Sequence, residues 1–272
     1  MTEHSHSLRI LLAEDSHTNQ RLALGILSKW GHRVVVANNG REALERLHDQ
    51  SFDVVLMDIQ MPEMDGIEAS RSIRRREQNH RRDQLDGNDQ IQLTRVPIIA
   101  MTANTMEGDR RECLDAGMDD FVSKPIRQSE LRRVLDAIAP VELDQPSQTT
   151  PVQHDLSPNC DGGTKSGSEY DWDTVLHALG GNCDLLQQVA LAMKSECPSC
   201  MDQIDQAMEQ SDSSLLRRAA HTLKGSLRLF GSTTAGSLAG EIEVLAKNGE
   251  FRNAKGIIDQ LKPAIAAFMI EL

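Results

Sequence analysis

The 272-residue sequence has no apolar run near the length of a bilayer span, and its N-terminus lacks the basic-then-apolar profile of a secretory signal. No direct contact with a membrane is expected, and the cytoplasm is the expected compartment. Positive charge is also in deficit. A formal net charge of -12 argues against a general affinity for nucleic acid, because phosphate backbones are bound by clustered lysine and arginine. The five cysteines are odd in number and irregularly spaced, which suits reduced thiols better than a disulfide framework. No glycine-rich phosphate loop follows a strand pattern, so an ATP-binding kinase domain is not expected in this stretch. Conventional turnover is not expected.

What is present divides in two. In the first half, short apolar runs alternate with helical patterns: Leu8 to Ala13, Val34 to Ala37, Val54 to Asp58, Ile98 to Thr102 and Phe121 to Ser123 read as strands. The segments between and after them read as helices: Ser16 to Trp30, Gly40 to Asp49, Ile67 to Arg76, Glu107 to Ala116, and a last one carrying Leu131, Val134, Leu135 and Ile138. Five rounds of strand and helix predict an α/β fold, a doubly wound parallel sheet covered on both faces.

The strand ends carry the chemistry. Glu14 and Asp15 follow the first strand, Asp58 the third, Thr102 the fourth and Lys124 the fifth. In open parallel sheets, ligands collect at the carboxyl ends of the strands. Three carboxylates packed there repel one another, so the cluster calls for a cation, and an all-oxygen, water-rich site is what Mg²⁺ prefers. Lys124 and the Thr102 hydroxyl are then placed to bind the oxygens of a phosphoryl group carried by Asp58.

This set resembles the receiver domain of two-component response regulators. The likeness covers roughly residues 7 to 139 and rests on Glu14-Asp15, Asp58, Met61-Pro62 with Asp65-Gly66, Thr102-Ala103 and Lys124-Pro125. It implies a flavodoxin-like sheet in the order 2-1-3-4-5, with Asp58 as phospho-acceptor. It further implies that Asp15 and Asp58 hold Mg²⁺ with the Gln60 carbonyl, that Glu14 acts from behind them, and that Thr102 and Phe121 form a switch pair. One departure is the polar stretch Glu77 to Arg95, longer than receivers usually carry, with Arg74, Arg75, Arg76, Arg81 and Arg82 around its start. It reads either as a solvated helix end and loop or as a docking surface for an acidic partner.

Residues 140–169 are rich in proline, glycine, serine and threonine and offer little to bury, so they read as a flexible linker. Such a tether spans roughly 30 Å on average and keeps its ends at an effective concentration near millimolar. From residue 170 onward only helical patterns remain: Thr174 to Leu179, Cys183 to Glu209, Ser214 to Phe230, Thr234 to Lys247 and Phe251 to Glu271. Their short breaks predict an antiparallel helical bundle over residues 170–272.

Within Ser214 to Phe230, the residues Leu216, Ala220, Leu223, Leu227 and Phe230 trace a core seam, while Arg217, His221, Lys224 and Arg228 trace a polar stripe beside it. His221 is therefore expected to point outward. Gly225 stands four residues on, where a side chain would crowd the imidazole, although an internal helix glycine costs about 1 kcal/mol relative to alanine. Ala220-His221-Thr222-Leu223-Lys224-Gly225-Ser226 resembles the motif of histidine phosphotransfer (HPt) domains. The resemblance implies that His221 is a second phospho-acceptor, with Lys224 assisting and Gly225 granting access. Cys197-Pro198-Ser199-Cys200 has redox-motif spacing but lies in helical patterning, so it reads as a kink with two half-buried thiols.

The two resemblances imply a phosphorelay protein whose partners are a sensor histidine kinase as donor and a downstream response regulator docking at His221. Transfer between Asp58 and His221 would run within the chain or through partner proteins. The chain would be a relay protein in its own right or the C-terminal part of a hybrid sensor kinase. Two rivals remain: a transcriptional response regulator, which needs a basic recognition helix not evident here, and a hydrolase using Asp58 as nucleophile.

Overall fold

The computed structural model describes residues 7–85, 95–102, 107–138, 172, 175–176, 179–231 and 233–272. The expected linker and half of the helix expected over residues 174–179 lie outside the described residues, as do Ala103 and Asp86-Gly87 and the side chains of Arg81 and Arg82.

The first half forms β1 (Arg9–Ala13), α1 (His17–Lys29), β2 (Arg33–Ala37), α2 (Gly40–Asp49), β3 (Val54–Asp58), α3 (Gly66–Leu85), β4 (Ile98–Thr102), α4 (Glu107–Asp115), β5 (Asp120–Ser123) and α5 (Gln128–Ile138). The strands form one parallel sheet in the order β2-β1-β3-β4-β5. Because side chains alternate across a pleated strand, each strand serves two cores. Ile10, Leu12, Val54, Leu56, Ile99 and Met101 face α1 and α5. Leu11, Ala13, Val55, Met57, Ile98 and Ala100 face α2, α3 and α4. Both faces are dry, which is why these strands read as unbroken apolar runs.

One helix boundary differs from expectation. α3 runs on to Leu85, past the end expected at Arg76. Its polar composition, with no apolar stripe, hid the extension. The Arg74 guanidinium donates to Gly117 O at 2.8 Å, Val96 O at 2.9 Å, both Glu77 carboxylate oxygens at 2.9 Å and Asp119 Oδ2 at 2.8 Å. Glu77 is buried and accepts from Val96 N. Arg74 thus ties α3 to the entrance of β4 and is committed inside the fold, not offered to an acidic partner.

The second half contains α6 (Cys183–Gln210), α7 (Ser213–Leu229), α8 (Thr233–Lys247) and α9 (Phe251–Glu271). Asn182 caps α6 by accepting from Leu185 N, and Asp212 caps α7 by accepting from Ser214 N and Leu215 N. The predicted seam of α7 is the bundle core: Leu216, Ala220, Leu223, Leu227 and Phe230 are all fully buried. Burial stabilises each of the larger side chains by roughly 1.5–3 kcal/mol. Phe230 packs edge-on against Trp172 and Phe268, with ring centroids 5.7 Å and 5.6 Å apart.

The two halves share one apolar core. Leu22, Ala23 and Ile26 of α1 belong to the same buried cluster as Leu185, Val189 and Met193 of α6. This packing lays the bundle over the strand ends where the carboxylates stand.

Candidate functional site

β1 delivers Glu14 and Asp15, and β3 delivers Asp58. Their carboxylate oxygens lie within 4.8 Å of one another, a set that can hold a metal ion. Register places Thr102 beside Ser123, and Lys124 N donates to Thr102 O at 2.8 Å, which carries Lys124 to the same edge. The Lys124-Pro125 peptide bond is cis. Lys124 Nζ lies 2.6 Å from Glu14 Oε2 and 2.7 Å from Asp58 Oδ2. The other Glu14 oxygen accepts from Asn19 Nδ2 at 3.0 Å. Gln60 lines the adjoining cleft, and its N–H approaches Asp58 Oδ1 at 3.4 Å.

The cluster is short of positive charge. Burial, then repulsion from Glu14, pushes the Asp15 carboxyl up to about 7, against the opposing pull of Lys124. Burial likewise pushes Asp58 up to about 7, although Lys124 pulls the other way. Lys124 is itself raised, because the attraction of Asp58 and Glu14 outweighs its burial. Three carboxylates with one ammonium leave room for a further cation, and an all-oxygen donor set fits a hard divalent ion.

The backbone beneath Asp58 requires a glycine. A Cβ on Gly66 would stand 2.0 Å from the Asp58 carbonyl oxygen, so only a bare Cα lets the loop fold back under β3. Phe121 is half-buried, with the Arg110 guanidinium 4.6 Å from its ring centroid, while Thr102 is buried at the end of β4.

His221 departs from expectation. The imidazole is only 11% exposed instead of standing bare. The helix face does point away from the bundle core, as its spacing requires, but the receiver-like half covers it. His221, Arg217 and Lys224 line one cleft of about 530 Å³ together with Asp58, Gln60 and Thr102. Gly225 is buried there as well, and a Cβ on it would meet Asn19 Nδ2 of α1 at 3.8 Å. Gly225 thus borders α1 of the other half of the chain.

Sequence reasoning missed Glu243. This α8 carboxylate accepts from His221 Nδ1 at 2.8 Å and from Lys224 Nζ at 2.6 Å. Burial works against its ionisation, but the hydrogen bond and charge of His221, followed by those of Lys224, hold the carboxyl down at about 2. No local motif signals it, because the contact crosses between helices. Cys197 and Cys200 are fully buried rather than half-buried. Burial beside Glu196 pushes the Cys197 thiol up to about 12 and Cys200 higher still, which is the wrong direction for redox reactivity.

Residues 10–136 match the family model described as the response regulator receiver domain, and residues 188–269 match the Hpt domain. The chain joins a receiver domain to an Hpt domain. It is 27% identical over 268 residues to the sensor histidine kinase GacS of Pseudomonas protegens, covering 98% of this chain and 27% of that protein. It is 27% identical over 243 residues to the histidine-protein kinase BarA of Escherichia coli, covering 89% of this chain and 24% of that one. The chain thus spans about a quarter of the length of these two relatives. The receiver domain of a sensor histidine kinase from Pseudomonas aeruginosa, crystallised with magnesium in its active site cleft, is 38% identical, covering 48% of this chain and 97% of that one at a TM-score of 0.41. Among the described residues, no helix is long and apolar enough to cross a membrane.

Proposed function

We propose that this chain is a phosphorelay segment in which a phosphoryl group enters at Asp58 and passes to His221. The observation that carries the reading is that both side chains line one cleft, with Lys124 and Lys224 beside them. Similarity to GacS across nearly the whole chain supports a place in a hybrid sensor kinase system. The donor would be a sensor histidine kinase and the acceptor beyond His221 a response regulator, both in the cytoplasm.

Asp15 and Asp58, with the Gln60 carbonyl, would hold Mg²⁺, and Glu14 would act from behind through Lys124. When bound, the ion supplies charge neutralisation for the phosphoryl oxygens. Lys124 bridges Glu14 and Asp58 and offers its ammonium to the same oxygens, and the Thr102 hydroxyl stands ready at the end of β4.

Glu243 prepares the acceptor. Ionised, it can only accept, so His221 Nδ1 carries the proton and the neutral ring presents its Nε2 lone pair. In the transfer, the bond between phosphorus and the Asp58 oxygen breaks, and its electron pair returns to the carboxylate. The Nε2 lone pair forms the new bond to phosphorus. The positive charge left on the ring faces Glu243, and Lys224 neutralises the incoming oxygens.

The test is to incubate the chain with Mg²⁺ and radiolabelled acetyl phosphate. Label labile to both acid and base should appear on Asp58 and later become acid-labile, base-stable label on His221. Asp58→Asn should abolish both, and His221→Gln should retain only the first. Label that turns over to free phosphate without reaching His221 in the unaltered chain would contradict the relay and favour hydrolysis.

A further inference from the structure

Several buried features of the α1–α6 seam have no part in the transfer chemistry. Gly25 lies in the interior of α1, where glycine is unfavourable by about 1 kcal/mol relative to alanine. A Cβ there would stand 2.2 Å from Leu185 Cδ1 and 2.8 Å from Leu185 Cδ2. The Leu185 side chain of α6 therefore fills a notch that only glycine leaves open, and it is 3% exposed. A second anchor lies nearer the cleft. Glu196 of α6 is buried and takes both Ser226 Oγ at 2.6 Å and Ser16 Oγ at 3.1 Å on Oε2, with the two hydroxyls 3.1 Å apart. Ser16 is also the N-cap of α1, accepting from Asn19 N. Thr18 Oγ1 reaches Met193 Sδ at 3.8 Å between the two anchors.

We propose that the Leu185 knob in the Gly25 notch is the specificity determinant by which this receiver selects its own Hpt domain, with Ser16–Glu196–Ser226 setting the register of that docking. This rests on the relay reading above and adds which pairing it uses. The physical argument has two parts. A receiver with a side chain at the notch meets the Leu185 methyls, which are packed in the shared core, so Leu185 must turn away and the seam must repack around it. One without a hydroxyl at the cap leaves the buried Glu196 carboxylate with Ser226 but one donor fewer, which weakens the docked state. With both satisfied, Thr222 Oγ1 arrives 3.4 Å from Asp15 Oδ2 and His221 enters the Asp58 cleft. Since Gly25 touches neither Asp58 nor His221, it is a specificity residue and not a catalytic one.

The experiment uses the full chain carrying Gly25→Ala, Leu185→Ala, or both. Gly25→Ala favours the α1 helix, so the receiver folds, and Asp58 should take label from acetyl phosphate at the unaltered rate. Transfer of that label to His221 should be independent of chain concentration in the unaltered protein, at least about 10-fold slower in Gly25→Ala, and restored toward normal in the double variant, where the shortened side chain clears the notch. Amide hydrogen exchange along α1 gives a second readout that needs no chemistry: protection should fall in Gly25→Ala and return in the double variant. Transfer at the normal rate in Gly25→Ala, or failure of Leu185→Ala to rescue it, would overturn the assignment. If the unaltered chain passes no label to His221, the relay reading fails, and the exchange measurement still decides whether the notch governs docking.

Discussion

His221 Nδ1 lies 2.8 Å from Glu243 Oε1, and that one contact determines which imidazole nitrogen remains for chemistry. Glu243→Gln keeps the shape but lets the amide donate as well as accept, so the ring loses its fixed tautomer and the anion facing its developing charge. A hydrogen bond to a charged group contributes about 1.5–3 kcal/mol, so phosphoryl uptake at His221 should slow roughly 10- to 100-fold. The rate at which base-stable label forms checks this. An unchanged rate would mean that Glu243 only supports the bundle.

The raised carboxyls predict a pH dependence. Asp58 and Asp15 sit near 7 in the fold and near 3.8 when exposed, so between those values the folded chain holds protons that the unfolded chain has lost. Stability from this source therefore falls as pH rises from about 4 to about 7 and levels off above. Asp58→Asn should gain thermal stability on the unaltered chain across that window in EDTA, and saturating Mg²⁺ should shrink the gap. Melting temperatures with and without EDTA measure it, and a gap that narrows with rising pH in EDTA would refute the account.

Gly66→Ala should be among the costlier single-methyl changes. The new Cβ would meet the Asp58 carbonyl oxygen at 2.0 Å and Met57 Cγ at 3.0 Å, so the backbone under β3 must shift. Overpacking of this kind costs about 1–3 kcal/mol and here also displaces Asp58. Urea unfolding should register the loss, and acetyl phosphate labelling of Asp58 should slow in parallel.

The Cys197 and Cys200 thiols should resist alkylation. Both are buried and their thiols are raised, whereas Cys183 at the start of α6 is half-buried. Iodoacetamide at pH 8 should modify Cys183 in the native chain and reach the other two only on unfolding, as peptide mass spectrometry would show. Equal native reactivity at all three would contradict the burial seen for α6.

Much of the architecture was readable from spacing. Runs such as Val54 to Asp58 and Ile98 to Thr102 are apolar on both faces, and the seam from Leu216 to Phe230 repeats at helical intervals, so strands and helices declared themselves within a few residues. α3 was legible only to Arg76, because its last turns are polar and carry no apolar stripe. The Glu14, Asp15, Asp58 and Lys124 grouping could be anticipated because alternate strand ends of a parallel sheet converge at one edge.

The sequence by itself determined the two folds and the residue types at their reactive edges, because periodicity and strand-end chemistry are local properties of the chain. Tertiary structure alone decided that His221 is covered rather than bare, that Glu243 fixes its proton, and that Gly25 receives Leu185. Each of those depends on packing between elements far apart along the chain, where shape and charge meet only once the halves have docked.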